Sequence, residues 1–191
     1  MKINFRDLNE NWIDKKNNQN DYDLLFVQRV FHYLQMGESV WLEQDRKISK
    51  HEILDGNESQ PSIFFRSSGT SGKKKWIEHN ENSIQSAVKG LLNWLKEDEL
   101  SSLSCLPINH VGGMMPIFRA IFTSGKILFF DYRKLLEEIN TSLIINKWVS
   151  LVPTQLYTLL GTSMGCSNLR LFRGIFIGGA ALSEKIIARC R

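Results

Sequence analysis

The chain has little cysteine, and what it has is scattered. Cys105, Cys166 and Cys190 form no Cys-x-x-Cys pair. That spacing suggests neither a disulfide framework nor a cysteine zinc site, and fits reduced thiols in a cytoplasmic protein. Long apolar runs are missing too: none approaches the roughly 18 residues that a membrane-spanning helix needs. The opening Met1-Lys2-Ile3-Asn4-Phe5-Arg6-Asp7 lacks the apolar core of a secretory leader. The Asn-x-Ser/Thr triplets at Asn57 and Asn140 therefore carry no glycosylation reading. There is no internal repeat, no basic run interleaved with aromatics and no nucleic-acid motif of known spacing, so nucleic acid is not an expected partner.

What is present begins with charge. Residues 1–60 hold 8 basic and 11 acidic side chains, whereas residues 61–191 hold 16 and 9, within an overall net charge of +4. The positive second segment suits an anionic ligand. At 191 residues the chain is long enough to bury a sizeable core.

The stretch Ser67-Ser68-Gly69-Thr70-Ser71-Gly72-Lys73-Lys74-Lys75 follows the apolar run Ile63-Phe64-Phe65. Glycines let backbone N–H groups approach an anion, hydroxyls add neutral donors, and lysines add charge, which is the chemistry needed to hold a polyphosphate. A solvated surface loop has the same composition, so the context must decide. Gly69 and Gly72 stand too close for the common triphosphate loop, and Lys73 is followed by lysine rather than Ser or Thr. Trp76-Ile77-Glu78-His79 reads as a strand, so the loop is expected to join two strands.

Periodicity predicts a helix from Asp23, with Leu24, Val27, Val30, Phe31 and Leu34 on one face and Gly37 as its stop. Val40-Trp41-Leu42 reads as a short strand, residues 8–22 as a polar lead-in, and residues 43–60 as a joint. Beyond the loop, helix and strand alternate. Ile84, Val88, Leu91 and Leu95 mark a helix capped by Asn82 or Ser83. Strands are expected over 103–106, 126–130, 148–152 and 174–177, and helices over 115–122, 154–160 and from Ser183. This alternation predicts an α/β fold, a layered, largely parallel sheet with flanking helices. Ligands collect beyond the carboxyl ends of such strands, so the loop, His110 and Gly178-Gly179 are expected on one sheet edge.

The nine-residue loop resembles the Thr/Ser-Ser-Gly-Thr-Thr/Ser-Gly-x-Pro-Lys signature of the AMP-forming acyl-adenylate ligases. Three further segments follow in that family's order: Leu106-Pro107-Ile108-Asn109-His110-Val111-Gly112-Gly113, Val152-Pro153-Thr154-Gln155-Leu156 and Ile177-Gly178-Gly179-Ala180-Ala181-Leu182. The resemblance covers residues 61–191 and fades before them. Two positions depart from the pattern: Lys74 stands where the family has proline, and Trp76 where it has glycine.

The resemblance implies that residues 1–60 are a short lead-in and residues 61–191 part of the large N-terminal domain of an adenylate-forming ligase. It also implies a two-step reaction in which a carboxylic acid and ATP give an acyl-adenylate, and coenzyme A then displaces AMP. Ser67, Ser68, Gly69, Thr70, Ser71, Gly72 and Lys73 would hold phosphates, with Lys75 as a mobile charge. His110 would line the acyl pocket near the thiol route, and Gly178, Gly179 and Ala180 would wall adenine from acyl group. Magnesium is implied as well, but the family's Tyr-Gly-x-Thr-Glu segment, whose glutamate binds it, is not found, and no Thr-Glu pair occurs anywhere. The chain is therefore expected to be the front portion of a ligase, inactive alone and prone to self-association through an exposed face. A non-catalytic nucleotide- or partner-binding relic is the alternative.

Within the family, His110-Val111-Gly112-Gly113-Met114-Met115-Pro116-Ile117-Phe118-Arg119-Ala120-Ile121 is most similar to the ligases that act on 2-succinylbenzoate. That acid carries two carboxylates, which makes Arg119 a candidate cation, against the plainer reading of a helix-surface charge. Other aryl- or fatty-acyl-CoA ligases remain open. Met114 and Met115 read as core. Gly161-Thr162-Ser163-Met164-Gly165 matches the spacing of a hydrolase elbow, but that elbow needs a preceding strand and a later histidine. Here a helix is expected before it, and no histidine follows His110.

Overall fold

The computed structural model describes residues 13–14, 21–43, 47–49, 60–67 and 75–190. Most of the expected lead-in and joint lies outside the described residues. Among the described residues, eight strands form two four-stranded sheets. The first holds β1 (Val40–Leu42), β2 (Ile48–Ser49), β3 (Ser62–Arg66) and β4 (Trp76–Asn80) in the order β2-β1-β3-β4. In it β1 and β3 are parallel, and the other pairs antiparallel. The second holds β5 (Ser102–Ser104), β6 (Ile127–Phe129), β7 (Trp148–Leu151) and β8 (Gly174–Ile177) in the order β6-β5-β7-β8, parallel throughout. The parallel sheet expected from the alternation is the second one. The hairpin around the Ser67–Lys75 loop belongs instead to the mixed sheet, so the expected single edge is shared between two sheets.

Helix α1 (Asp21–Gln35) buries Val27, Val30, Phe31 and Leu34 as its periodicity predicts, together with Phe26, while the expected Leu24 is only partly buried. It stops at Gly37, whose φ of +80° only glycine adopts without strain. Helix α2 (Glu81–Leu95) starts directly after β4. Its cap is Asn80, whose side chain accepts the Ser83 N–H, rather than the expected Asn82 or Ser83. The strand runs straight into the helix, which moves the cap upstream.

Helix α3 (Val111–Thr123) begins four residues earlier than its apolar pattern announces, because Gly112 and Gly113 lie inside its first turn. The second glycine is obligatory. A Cβ on Gly113 would overlap the Pro107 carbonyl and stand 2.7 Å from the Leu106 oxygen. This helix is almost wholly apolar and sits between the sheets. Met114, Ile117, Phe118 and Ile121 join α1, β1, β3, Ile84 of α2, and Ile127 and Phe129 of β6 in one core. The opposite face of the second sheet carries Leu103, Leu128, Val149 and Leu151. It packs on α4 (Pro153–Leu160) and α5 (Ser163–Leu169) to make a second core. In the elbow-like segment Gly161 and Thr162 thus join two helices and Ser163 opens the second, with no strand before it, which excludes the hydrolase reading. A short α6 (Glu184–Arg189) follows β8.

Candidate functional site

A parallel sheet delivers every strand's carboxyl end to the same edge, and three of the four motif segments arrive there. After β5 comes the turn to His110, which is exposed and occupies the N-cap of α3 without a side-chain capping bond. After β7 comes Val152-Pro153-Thr154, where Pro153 opens α4 and the Gln155 side chain accepts the Val152 N–H at 3.1 Å. After β8 comes Gly178-Gly179-Ala180, all three exposed. The Gly178 N–H donates to the Leu151 carbonyl at 3.1 Å, tying the end of β8 to β7. Gly179 has a φ of +87°, and a Cβ there would lie 3.5 Å from Val152 Cγ1. Glycine at 179 is explained by its left-handed backbone, since the Val152 contact is an ordinary one.

The fourth segment emerges from the mixed sheet. Ser68, Gly69, Thr70, Ser71, Gly72 and Lys73 lie outside the described residues. Both ends of the loop are described. The Ser67 N–H donates to the Lys75 carbonyl at 2.8 Å, and the Lys75 N–H donates to Ser67 Oγ at 3.1 Å. Lys75 is exposed. The bonds close the hairpin, as the sequence pattern requires for a loop joining two strands.

Side chains that sequence reasoning passed over link the two sheets at this edge. Glu43 follows β1, and its backbone carbonyl accepts from the buried Asn109 side chain at 3.0 Å. Its carboxylate pairs with Arg66 at 3.4 Å, next to Ser67. A continuous path Ser67–Arg66–Glu43–Asn109–His110 therefore joins the loop's neck to the turn before α3.

Arg119 was open between two sequence readings, a candidate cation and a helix-surface charge. The structure goes against the surface reading: its Nε and one terminal nitrogen are buried, with no hydrogen-bond partner. Its guanidinium lies 4.6 Å from the centroid of the Phe176 ring on β8, and burial lowers its pKa to about 10. The signal was available: Arg119 is the single charged residue of α3. Strand register puts Ser102, Ser104, Ser150 and Phe176 on one face, and the hydroxyls of Ser102 and Ser104 are also buried without partners. A buried cation with open donors is chemically prepared for a carboxylate. Among the described residues no three His, Cys, Asp or Glu side chains gather to hold a metal ion, and no helix is long and apolar enough to cross a membrane.

The parallel sheet, with three of the four motif segments at its carboxyl edge, is the α/β architecture that the motifs implied. The chain belongs to the AMP-binding enzyme family, whose profile matches residues 8–191. It is 32% identical over 148 residues to 2-succinylbenzoate–CoA ligase from Staphylococcus epidermidis, covering 74% of this chain and 30% of that protein. It is 30% identical over 129 residues to the Haemophilus influenzae protein of the same name, covering 66% of this chain and 27% of the relative. The chain thus matches less than a third of the length of these curated relatives. Among solved structures, an acyl-CoA synthetase-like protein from Dyadobacter fermentans superposes with a TM-score of 0.57 at 19% identity, over 68% of this chain and 37% of that one. The o-succinylbenzoate CoA synthetase from Bacillus subtilis in complex with AMP gives 0.54 at 21% identity, over 68% and 27%. These likenesses establish the fold.

Proposed function

We infer that this chain is the phosphate- and acyl-binding portion of an AMP-forming acid–CoA ligase whose acid is a dicarboxylate of the 2-succinylbenzoate type. The observation that carries the choice of acid is Arg119, a buried guanidinium with two unpartnered nitrogens on α3, the helix that His110 caps. A monocarboxylic acid would use its one carboxylate in the reaction and leave that cation unmatched. Its second carboxylate is what a dicarboxylate adds.

In the first step a carboxylate oxygen attacks the α-phosphorus of ATP and pyrophosphate leaves. In the second, the thiol sulfur of coenzyme A attacks the acyl carbon and AMP leaves. Little covalent chemistry falls to the protein, so positioning and charge stabilisation carry the rate. The hydroxyls and amides of Ser67, Ser68, Gly69, Thr70, Ser71 and Gly72 hold the outer phosphates, and Lys73 and Lys75 balance their charge. Gly178, Gly179 and Ala180 form a side-chain-poor wall between adenine and acyl group, and His110 borders the acyl pocket. The described residues offer no magnesium cluster, and no step is assigned to the metal. A cytoplasmic setting belongs to the same reading, and cell fractionation checks it.

The test is thioester formation by the protein at the full length its gene encodes, on 2-succinylbenzoate, benzoate and a medium-chain fatty acid. Preference for the first, lost in Arg119→Met, supports the reading. Equal or greater activity on the other acids sinks the choice of acid, and activity on none sinks the ligase reading. The 191-residue chain alone is expected to show no magnesium-dependent ATP–pyrophosphate exchange, and an exchange signal from it would overturn that expectation.

A further inference from the structure

The loop of this chain lacks the proline that stiffens its family's signature, and it carries tryptophan where glycine is usual. The structure shows what Trp76 does. In the β3–β4 ladder Trp76 is the direct cross-strand partner of Arg66. The Arg66 guanidinium lies 5.8 Å from the centroid of the Trp76 ring, and its terminal nitrogen is 3.4 Å from Glu43 Oε2. The other carboxylate oxygen of Glu43 accepts from Ser49 Oγ at 3.2 Å. Its backbone carbonyl accepts from Asn109. Arg66 is thus fixed from two sides, one residue before the Ser67–Lys75 pair that closes the loop. An isolated ion pair this exposed contributes little. Here the pair, the ring and the cross-strand register constrain one side chain together, and Glu43 is itself anchored to β2 and to the turn before His110.

We propose that Glu43, Arg66 and Trp76 form a positioning collar that holds the neck of the phosphate loop in register with the His110 turn, supplying the restraint that proline gives elsewhere. This rests on the reading of the loop as a phosphate site. Arg66 acts through Ser67 and Lys75; it is a positioning residue and not a catalytic one.

The experiment uses the whole 191-residue chain, with two readouts. The first is amide hydrogen exchange, which needs no ligand. Arg66→Ala speeds exchange of the Ser67 N–H about five- to tenfold, the size expected for losing an ion pair and a cation–π contact together. The Val149 and Leu151 amides of the second sheet stay unchanged. Adding Lys74→Pro to Arg66→Ala brings the Ser67 rate back toward the parent. The second readout is MgATP affinity by calorimetry, weakened by a similar factor in Arg66→Ala and recovered by Lys74→Pro. Glu43→Gln, which keeps the shape, repeats the comparison should Arg66→Ala fail to fold.

An unchanged Ser67 amide, a uniform acceleration reaching Val149 and Leu151, or no rescue by Lys74→Pro overturns the collar. Equal MgATP affinity in the parent and Arg66→Ala overturns it as well. A parent chain that binds no MgATP, with exchange behaving as expected, counts against the phosphate reading and leaves the collar supported.

Discussion

Arg119→Met should make the protein more stable while removing the proposed grip on a dicarboxylate. The fall in the Arg119 pKa from the ordinary guanidinium range to about 10 corresponds to roughly 3 kcal/mol of disfavoured charge in the folded state. Burial causes the fall, so the penalty is present at neutral pH and is relieved only as pH rises through the lowered value. The ring of Phe176 returns about 1 kcal/mol through its attraction for the cation. Residual solvation at the tip of the side chain removes a further part. The net gain from replacing the guanidinium by an apolar group of similar length is about 1–2 kcal/mol, because methionine keeps the stem packing. Urea unfolding of the parent and Arg119→Met at pH 7 measures it directly. In the same melts, 2-succinylbenzoate should stabilise the parent and leave Arg119→Met unmoved. A variant less stable than the parent by 1 kcal/mol or more would refute the reasoning. It would mean that the folded protein already satisfies the guanidinium.

Three further predictions concern the edge and its supports. Gly113→Ala should cost about 2 kcal/mol or more in a urea melt, because the new methyl meets the backbone of Leu106 and Pro107. Gly112→Ala meets only Leu106 Cδ1 at 3.4 Å and should cost far less. At the other glycine pair the asymmetry also favours the second: Gly179→Ala should lose about 1–2 kcal/mol for its left-handed backbone. Gly178→Ala, with open space at its Cβ, should be nearly neutral in thermal melts. His79, packed edge-on against Phe65, has its pKa lowered below 6.5 by burial, with Glu78 opposing the shift. The unfolded chain then binds the proton first as pH falls, so stability should be full above about pH 6.5 and decline below it. His79→Phe should flatten that decline in a pH series of melts.

How much of this was legible in the sequence depended on how local the signal was. The last strand, Gly174–Ile177, and the buried face of α1 are where the pattern puts them, because a short β-rich run and a helical stripe are set by neighbouring residues. The start of α3 was hidden, since two glycines and Pro116 argue against a helix until the packing against Pro107 is known. Two short 3-10 helices, Tyr132–Leu136 and Thr141–Leu143, were readable in principle. The side chains of Asp131 and Asn140 accept the N–H two residues on, a turn that these residue types favour. Division into two sheets was not readable, because nothing near Ser67 says which strands will pair with β3. The collar was hidden for the same reason: Glu43 and Asn109 are 66 residues apart.

Helix α3 explains why the site and the core cannot be varied independently. Met114, Ile117, Phe118 and Ile121 lock one face of it between the sheets, while its N-terminus carries His110 and its only charge reaches Phe176. A helix rises about 1.5 Å per residue, so nine positions separate His110 from Arg119 by about 13 Å along the axis. Any repacking that rotates or slides α3 moves the residue at the strand end and the buried cation together. Volume changes at Ile117 or Phe118 should therefore alter substrate preference as well as stability, with Ile117→Val shifting both slightly and Phe118→Ala abolishing both. Loss of stability without any change in acid preference for Ile117→Val would show that Arg119 and His110 are not held by the same helix contacts.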